Sequence, residues 1–118
     1  MLDSHNNIRC QNGLNQVGLD GAMSAHAQFH AERLMNAGAC SNPFHSTELD
    51  SWYGGTWGEN VACIFSTTGC STNVGTVMNI WMSSAEHRAN ILNPNFSWIG
   101  TGYACDGQHA FFVVQFRG

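Results

Sequence analysis

Ser83-Ser84-Ala85-Glu86-His87-Arg88-Ala89-Asn90-Ile91-Leu92-Asn93-Pro94 packs a helix start, an ionisable pair, a short apolar turn and a helix stop into one run. Ser83 and Glu86 match the S-x-x-E capping box, in which each side chain satisfies a free backbone N–H near the other. Pro94 forbids continuation, so the spacing predicts a helix of about two turns. His87 and Ile91 lie four apart and share a face, while Arg88 points elsewhere. A histidine is thereby held on a short helix beside an apolar neighbour, and this surface is the first candidate for function.

On the N-terminal side, Val74, Val77, Met78 and Trp81 have helical spacing, and Ser83 ends that helix as it starts the next. Further back, Glu59-Asn60-Val61-Ala62-Cys63-Ile64-Phe65 has the apolar, β-branched content of a buried strand. Towards the C-terminus, residues 97–105 and 110–116 read as two strands joined at Asp106-Gly107, a strong hairpin signal. At the N-terminus, residues 4–15 read as a first helix, weakened at Gly13. Asp20 is placed to cap a longer second helix, closed by Gly38, with Met23, Ala27, His30 and Leu34 as its inward stripe. Residues 41–58 and 69–75 read as loops, the first holding Phe44-His45 and Trp52-Tyr53-Gly54-Gly55. Leading helices, an internal strand and a terminal hairpin predict an α+β sandwich. With 118 residues and 43% hydrophobic content, the chain reads as one domain, 1–118, with a real core.

Charge excludes some functions. Only 10% of residues are charged, lysine is absent, and the net charge is −4, so a nucleic-acid footprint of clustered cations is not expected. Docking to anionic lipid by charge is unsupported for the same reason. No run is long enough for a transmembrane helix. Met1-Leu2-Asp3-Ser4-His5 has neither a basic start nor an apolar core, which leaves a cytosolic chain or one whose leader has been removed. Cys10, Cys40, Cys63, Cys70 and Cys105 are scattered, with no C-x-x-C pair. They read as two disulfides and one spare thiol in an oxidising compartment, against the alternative of unpaired buried cysteines in the cytosol. Of the possible pairings we expect Cys63–Cys70, because Ser66-Thr67-Thr68-Gly69 between them reads as a turn.

Among candidate side chains, Glu59 is the sharpest, since a carboxylate leading into an apolar strand must be paired to offset desolvation. His45 lies in a loop, where function concentrates, and His87 on the short helix. Two imidazoles and a carboxylate suit zinc with open positions. Their separations match no local metal signature, so only folding can bring them together. His26 and His30, four apart, read as core or boundary packing, His5 and His109 as solvated. Ser46 beside His45 lacks a nucleophile elbow and reads as non-catalytic. Asn95-Phe96-Ser97 fits the glycosylation sequon by pattern. Trp52, Trp57, Trp81 and Trp98 read as core and rim aromatics rather than a sugar platform, with Trp52 and Tyr53 placed to line a groove.

Asn6-x-x-Arg9 after His5, Gly58-Glu59-Asn60-Val61-Ala62, Trp81-x-x-Ser84-x-x-His87-Arg88-x-Asn90-Ile91-Leu92, and Ile99-Gly100-x-Gly102 followed by Val114-x-Phe116 resemble the CAP superfamily. This group of cysteine-rich secretory, antigen 5 and plant pathogenesis-related proteins is also called the SCP domain. The resemblance runs from Ser4 to Phe116, and the short link from Trp81 to His87 is similar to the bacterial branch. It implies an α-β-α sandwich with a central antiparallel sheet flanked by helices, a large cleft, and a secreted location. In that cleft the family carries two histidines and two acids, often with a divalent metal such as zinc. By position these are His45, Glu59 and His87, with Ser84 standing where the second acid belongs. Ser84, Asn60, Trp52 and Tyr53 are expected to line the cleft.

Two functional readings follow. The first is a secreted, monomeric binding module with a metal-capable cleft, its ligand a small molecule, a lipid or a cell-envelope component. There His45 and His87 supply nitrogen ligands and Glu59 ligates or orients a bound water. The second is a metal-assisted, peptidase-like hydrolase with Glu59 as general base. The first is favoured because no nucleophile or oxyanion signature is legible.

Overall fold

The computed structural model describes residues 1–65, 69–70 and 73–118. In chain order its elements are α1 (Leu2–Gln11), β1 (Gly18–Leu19), α2 (Gly21–Asn36), α3 (Leu49–Tyr53), β2 (Trp57–Phe65), α4 (Val74–Met82), α5 (Ala85–Ile91), β3 (Trp98–Cys105) and β4 (His109–Arg117). Asp20 is extended and its Oδ1 accepts from Met23 N at 2.9 Å, so α2 starts at the expected cap. The expected stripe of Met23, Ala27, His30 and Leu34 is buried.

The strands lie in the order β1-β3-β4-β2. β4 runs antiparallel to both neighbours, and two residues of β1 join β3 in parallel. The sheet is therefore mixed, antiparallel in its three long strands. β4 alternates between two cores: Ala110, Phe112, Val114 and Phe116 meet Trp81, Ile91 and Phe96, while Phe111 and Val113 meet Ala27, Ala31 and Leu34. Helices cover both faces, which is why this strand reads as an almost unbroken apolar run. Gly100 and Gly102 of β3 let α2 lie on the sheet: a Cβ at Gly100 would overlap the backbone of Met23, and one at Gly102 that of Ala27.

Several expectations are corrected. The first helix spans Leu2–Gln11, and the chain turns at Gly13 with φ at +71°. His5, expected to be solvated, is wholly buried against Trp81 and Phe116. The residue pattern hid this because α1 carries few apolar residues, and it buries His5 and Arg9 in their place. Residues 49–53, read as loop, form the short α3. The capping box does not form. Ser83 stays in α4's geometry with its Oγ donating to Asn79 O at 2.7 Å, and extended Ser84 becomes the N-cap of α5 with no side-chain cap bond.

The cysteine pairing differs too. Cys40 is bonded to Cys63 and Cys70 to Cys105, leaving Cys10 free and exposed, so Cys63–Cys70 is not a disulfide. Two disulfides and a spare thiol hold, but they link segments that the sheet brings together. Of the turn expected between Cys63 and Cys70, residues 66–68 lie outside the described residues.

Candidate functional site

β2 is an outer strand, and its successive residues face opposite layers. Val61 joins the core under α2, Ala62 the core under α4 and α5. Glu59 consequently faces the α2 layer and Asn60 the other. Each holds one histidine.

Glu59 is 4% exposed and accepts four hydrogen bonds. Oε1 takes Ser46 N at 2.8 Å and His45 Nδ1 at 2.9 Å; Oε2 takes Ser46 Oγ at 2.6 Å and Gln115 Nε2 at 2.8 Å. Burial pushes the carboxyl up, but the donors from His45, Ser46 and Gln115 together outweigh it and hold its pKa below the ordinary value. An ionised carboxylate only accepts, so the shared proton sits on His45 Nδ1 and the lone pair of the neutral ring on Nε2. The hydrogen bond to Glu59 raises the His45 pKa against the effect of burial, with the charges of Glu59 and Glu86 adding to it. The His45 side chain remains 57% exposed.

The segment carrying His45 is pinned from α2 as well. His30 Nε2 donates to Phe44 O at 2.7 Å, and Arg33 Nη1 pairs with Glu48 at 2.7 Å while Nη2 donates to His30 Nδ1 at 2.8 Å. The Cys40–Cys63 bond ties the same connection to β2.

On the other face, buried Asn60 donates to His87 O at 3.0 Å and accepts from Asn90 Nδ2 at 2.9 Å. Gly58 makes room for Asn90, because a Cβ there would lie 2.6 Å from Asn90 Oδ1. The far end of α5 is held by buried Arg9, whose Nη1 donates to Ile91 O at 2.9 Å and Asn93 O at 2.8 Å. A cation among the last carbonyls of a helix also complements its dipole. This is the physical content of the Asn6-x-x-Arg9 motif, since Asn6 meanwhile clasps Val17 through both of its amide atoms.

His87 is half-buried, and its Nδ1 is buried without a hydrogen-bond partner. Burial lowers its pKa, the nearby charge of His45 lowers it further, and Glu86 opposes both. The ring is therefore neutral at pH 7, with a lone pair to offer. Between the layers lies a cleft of about 340 Å³, lined by His45, Ser46, Trp57, Gly58, Glu59 and Asn90.

The residues expected to line the cleft take other positions. Tyr53 donates to Gln115 Oε1, so Gln115 turns its amide N–H towards Glu59. His26 Nδ1 lies 3.2 Å from the Tyr53 hydroxyl, and its ring stacks on Trp52 with centroids 4.2 Å apart. Trp52 and Tyr53 thus stand behind the Glu59–Gln115 pair, Asn60 lies on the opposite face, and Ser84 caps α5. Ser46 Oγ gives its proton to Glu59 and not to His45, so no serine–histidine pair is formed. Gln115 is the residue that sequence reasoning missed; its signal was a lone amide inside the apolar run 110–116. Among the described residues, no three His, Cys, Asp or Glu stand close enough together to hold an ion by themselves. His45 and Glu59 line the cleft, and His87 is not among its lining residues.

Known proteins share this architecture. An extracellular protein of Bacillus anthracis containing an SCP domain is 22% identical with a TM-score of 0.73, covering 99% of this chain and 39% of its own. An outer surface protein of Borrelia burgdorferi is 17% identical with a TM-score of 0.71, covering 98% and 86%. In sequence, the uncharacterized protein YkwD of Bacillus subtilis is 50% identical over 42 residues, which is 36% of this chain and 16% of that protein. The matched region is thus about a sixth of the curated relative's length. The profile described as CAP, the cysteine-rich secretory protein family, matches residues 2–116, and the chain belongs to that family.

Proposed function

We propose that this chain is a secreted binding domain whose cleft takes a divalent metal ion between the imidazoles of His45 and His87. Its ligand is a small molecule, a lipid or an envelope component. The observation that carries the reading is the buried Glu59 carboxylate on His45 Nδ1, which leaves Nε2 as the ring's electron-pair donor. Carboxylate-backed imidazoles are the usual arrangement of metal-binding histidines. The lowered pKa of His87 keeps that ring neutral and leaves it a nitrogen donor of the type zinc favours. Bound there, the ion supplies a Lewis-acid centre for an oxygen or nitrogen of the ligand. Glu59 orients His45 in this reading. Binding is placed ahead of hydrolysis because both carboxylate oxygens already accept two donors each, leaving Glu59 poorly placed as a general base. Secretion is supported by the two disulfides, and among the described residues no helix is long and apolar enough to cross a membrane.

Calorimetric zinc titration of the intact chain tests the proposal. His45→Ala and His87→Ala are each expected to weaken binding at least tenfold while the circular dichroism spectrum is retained (about 1.4 kcal/mol). Unchanged affinity in both variants would overturn it. A panel of peptide and ester substrates adds the second arm. Turnover lost on chelation and in Glu59→Ala would replace the binding module with a hydrolase.

A further inference from the structure

The first cross-strand row of the sheet carries side chains that the His45–His87 cleft does not use. Gly18, Trp98, Arg117 and Trp57 are directly paired from β1 through β3 and β4 to β2. Residues directly opposite each other share a face. Trp98 is 41% exposed and Trp57 37%, so two indoles stand in solvent on one side of the sheet. Their backbone positions are two strand spacings apart, about 9.6 Å, with Arg117 between them.

Both rings are held in place. Trp57 Nε1 donates to Asp50 Oδ1. Trp98 packs against β1, where a Cβ on Gly18 would come within 2.7 Å of its ring. The guanidinium of Arg117 sits 5.7 Å from the Trp98 ring centroid, and its Nη2 reaches Asp20 Oδ2 at 3.4 Å. Rings fixed in advance lose little freedom on binding. Trp57 itself borders the cleft, so the row adjoins it at that one residue.

We propose that this row is a platform for a neutral pyranose oligosaccharide, two sugar rings stacking on Trp57 and Trp98. The hydroxyls between them would bond to Arg117, Asp20 and Asp50. The chemistry selects this occupant. An acyl chain would have to desolvate a guanidinium and two carboxylates without replacing their hydrogen bonds. A polyanion would meet one cation that already has an acidic partner, on a chain of net charge −4. A sugar offers apolar ring faces to the indoles and hydroxyls, in the same plane, to the ions. The platform does not depend on metal in the cleft.

The test is titration of the intact chain with soluble hexamers of β-1,4-linked N-acetylglucosamine, glucose and xylose, read by calorimetry and by the indole Nε1–H signals. At least one hexamer is expected to bind, to shift the Trp57 and Trp98 signals, and to do so equally at low and high salt. Trp98→Ala and Trp57→Ala should each weaken it about tenfold, whereas Trp98→Phe keeps part of the affinity and Trp98→Leu does not. Gly18→Ala, which displaces the Trp98 ring without removing it, should weaken binding as well. His45→Ala should not, and this separates failure of the platform from failure of the metal site. No binding by any hexamer would overturn the proposal. So would tryptophan-dependent binding to phosphatidylcholine–phosphatidylglycerol vesicles in preference to the sugars, or binding that Trp98→Leu leaves intact.

Discussion

Replacing Glu59 by Gln keeps the shape of the buried side chain and removes its charge. The carboxylate has four donors on two oxygens, and a carboxamide offers one oxygen and one N–H₂. Its better orientation keeps oxygen towards Ser46 N and His45 Nδ1, which sets N–H₂ against Ser46 Oγ and Gln115 Nε2. The Ser46 hydroxyl can turn and accept. Gln115 Nε2 cannot, because Tyr53 holds its carbonyl the other way. One charge-assisted bond is lost and a buried donor is left facing another, a cost of about 3 kcal/mol, or a fall in Tm of about 10 °C. The effect has a pH signature. The folded pKa of Glu59 lies below its ordinary value of 4.5. Its stabilising contribution is therefore full above that value and disappears as pH falls through the folded pKa. Urea unfolding of Glu59→Gln and wild type, followed by tryptophan fluorescence between pH 7 and pH 3, should show a gap that closes only at the acid end. Equal stability at pH 7, or a gap independent of pH, would refute the reasoning.

Other expectations concern the parts that carry the site. Burial, aided by the charges of the N-terminus and Arg9 and opposed by the bond to Met1 O, lowers the His5 pKa from 6.5 to about 4. Stability linked to His5 is thus complete above 6.5 and declines by about 3 kcal/mol as pH drops towards 4; the urea midpoint of His5→Leu should fall less steeply over that interval. Peptide mapping without reduction should recover Cys40–Cys63 and Cys70–Cys105, with Cys10 taking a single alkyl group. A Cys63–Cys70 peptide would contradict the sheet topology. Cys40→Ser with Cys63→Ser should cost about 3 kcal/mol and weaken zinc binding, since that bond tethers the His45 segment to β2.

What could be read from the residues was what repetition and end signals encode. The α2 stripe, the Asp20 cap and the Asp106-Gly107 hairpin all hold, Gly107 taking φ of +98° and Asp106 Oδ1 accepting from the amides of Gln108 and His109. What escaped depends on contacts across the fold. Cys63 finds Cys40 because β2 passes beside the end of α2, a proximity no turn signal contains. The capping pattern slipped by one residue because Ser83 is claimed by the preceding helix. β1 and α3, with two and five residues, are too short to show a period. For the site, Glu59 was legible as a carboxylate needing partners, but the identity of those partners was not. Ser46 and Gln115 reach it from a loop and from a strand 56 residues away. His45 and His87 were grouped with Glu59 by residue type and by the resemblance, but no local spacing connects them: the chain presents them from opposite layers, and their link runs through Glu59 and Asn60, neighbours on an outer strand.

Diffraction from crystals grown with zinc, recorded on both sides of the zinc absorption edge, addresses that link most directly. The account predicts one strong anomalous peak in the cleft, about 2.0–2.1 Å from a ring nitrogen of His45 and from one of His87, with Glu59 still on His45 Nδ1. A peak bound by other side chains, or a zinc-grown crystal with no peak at either imidazole, would contradict it.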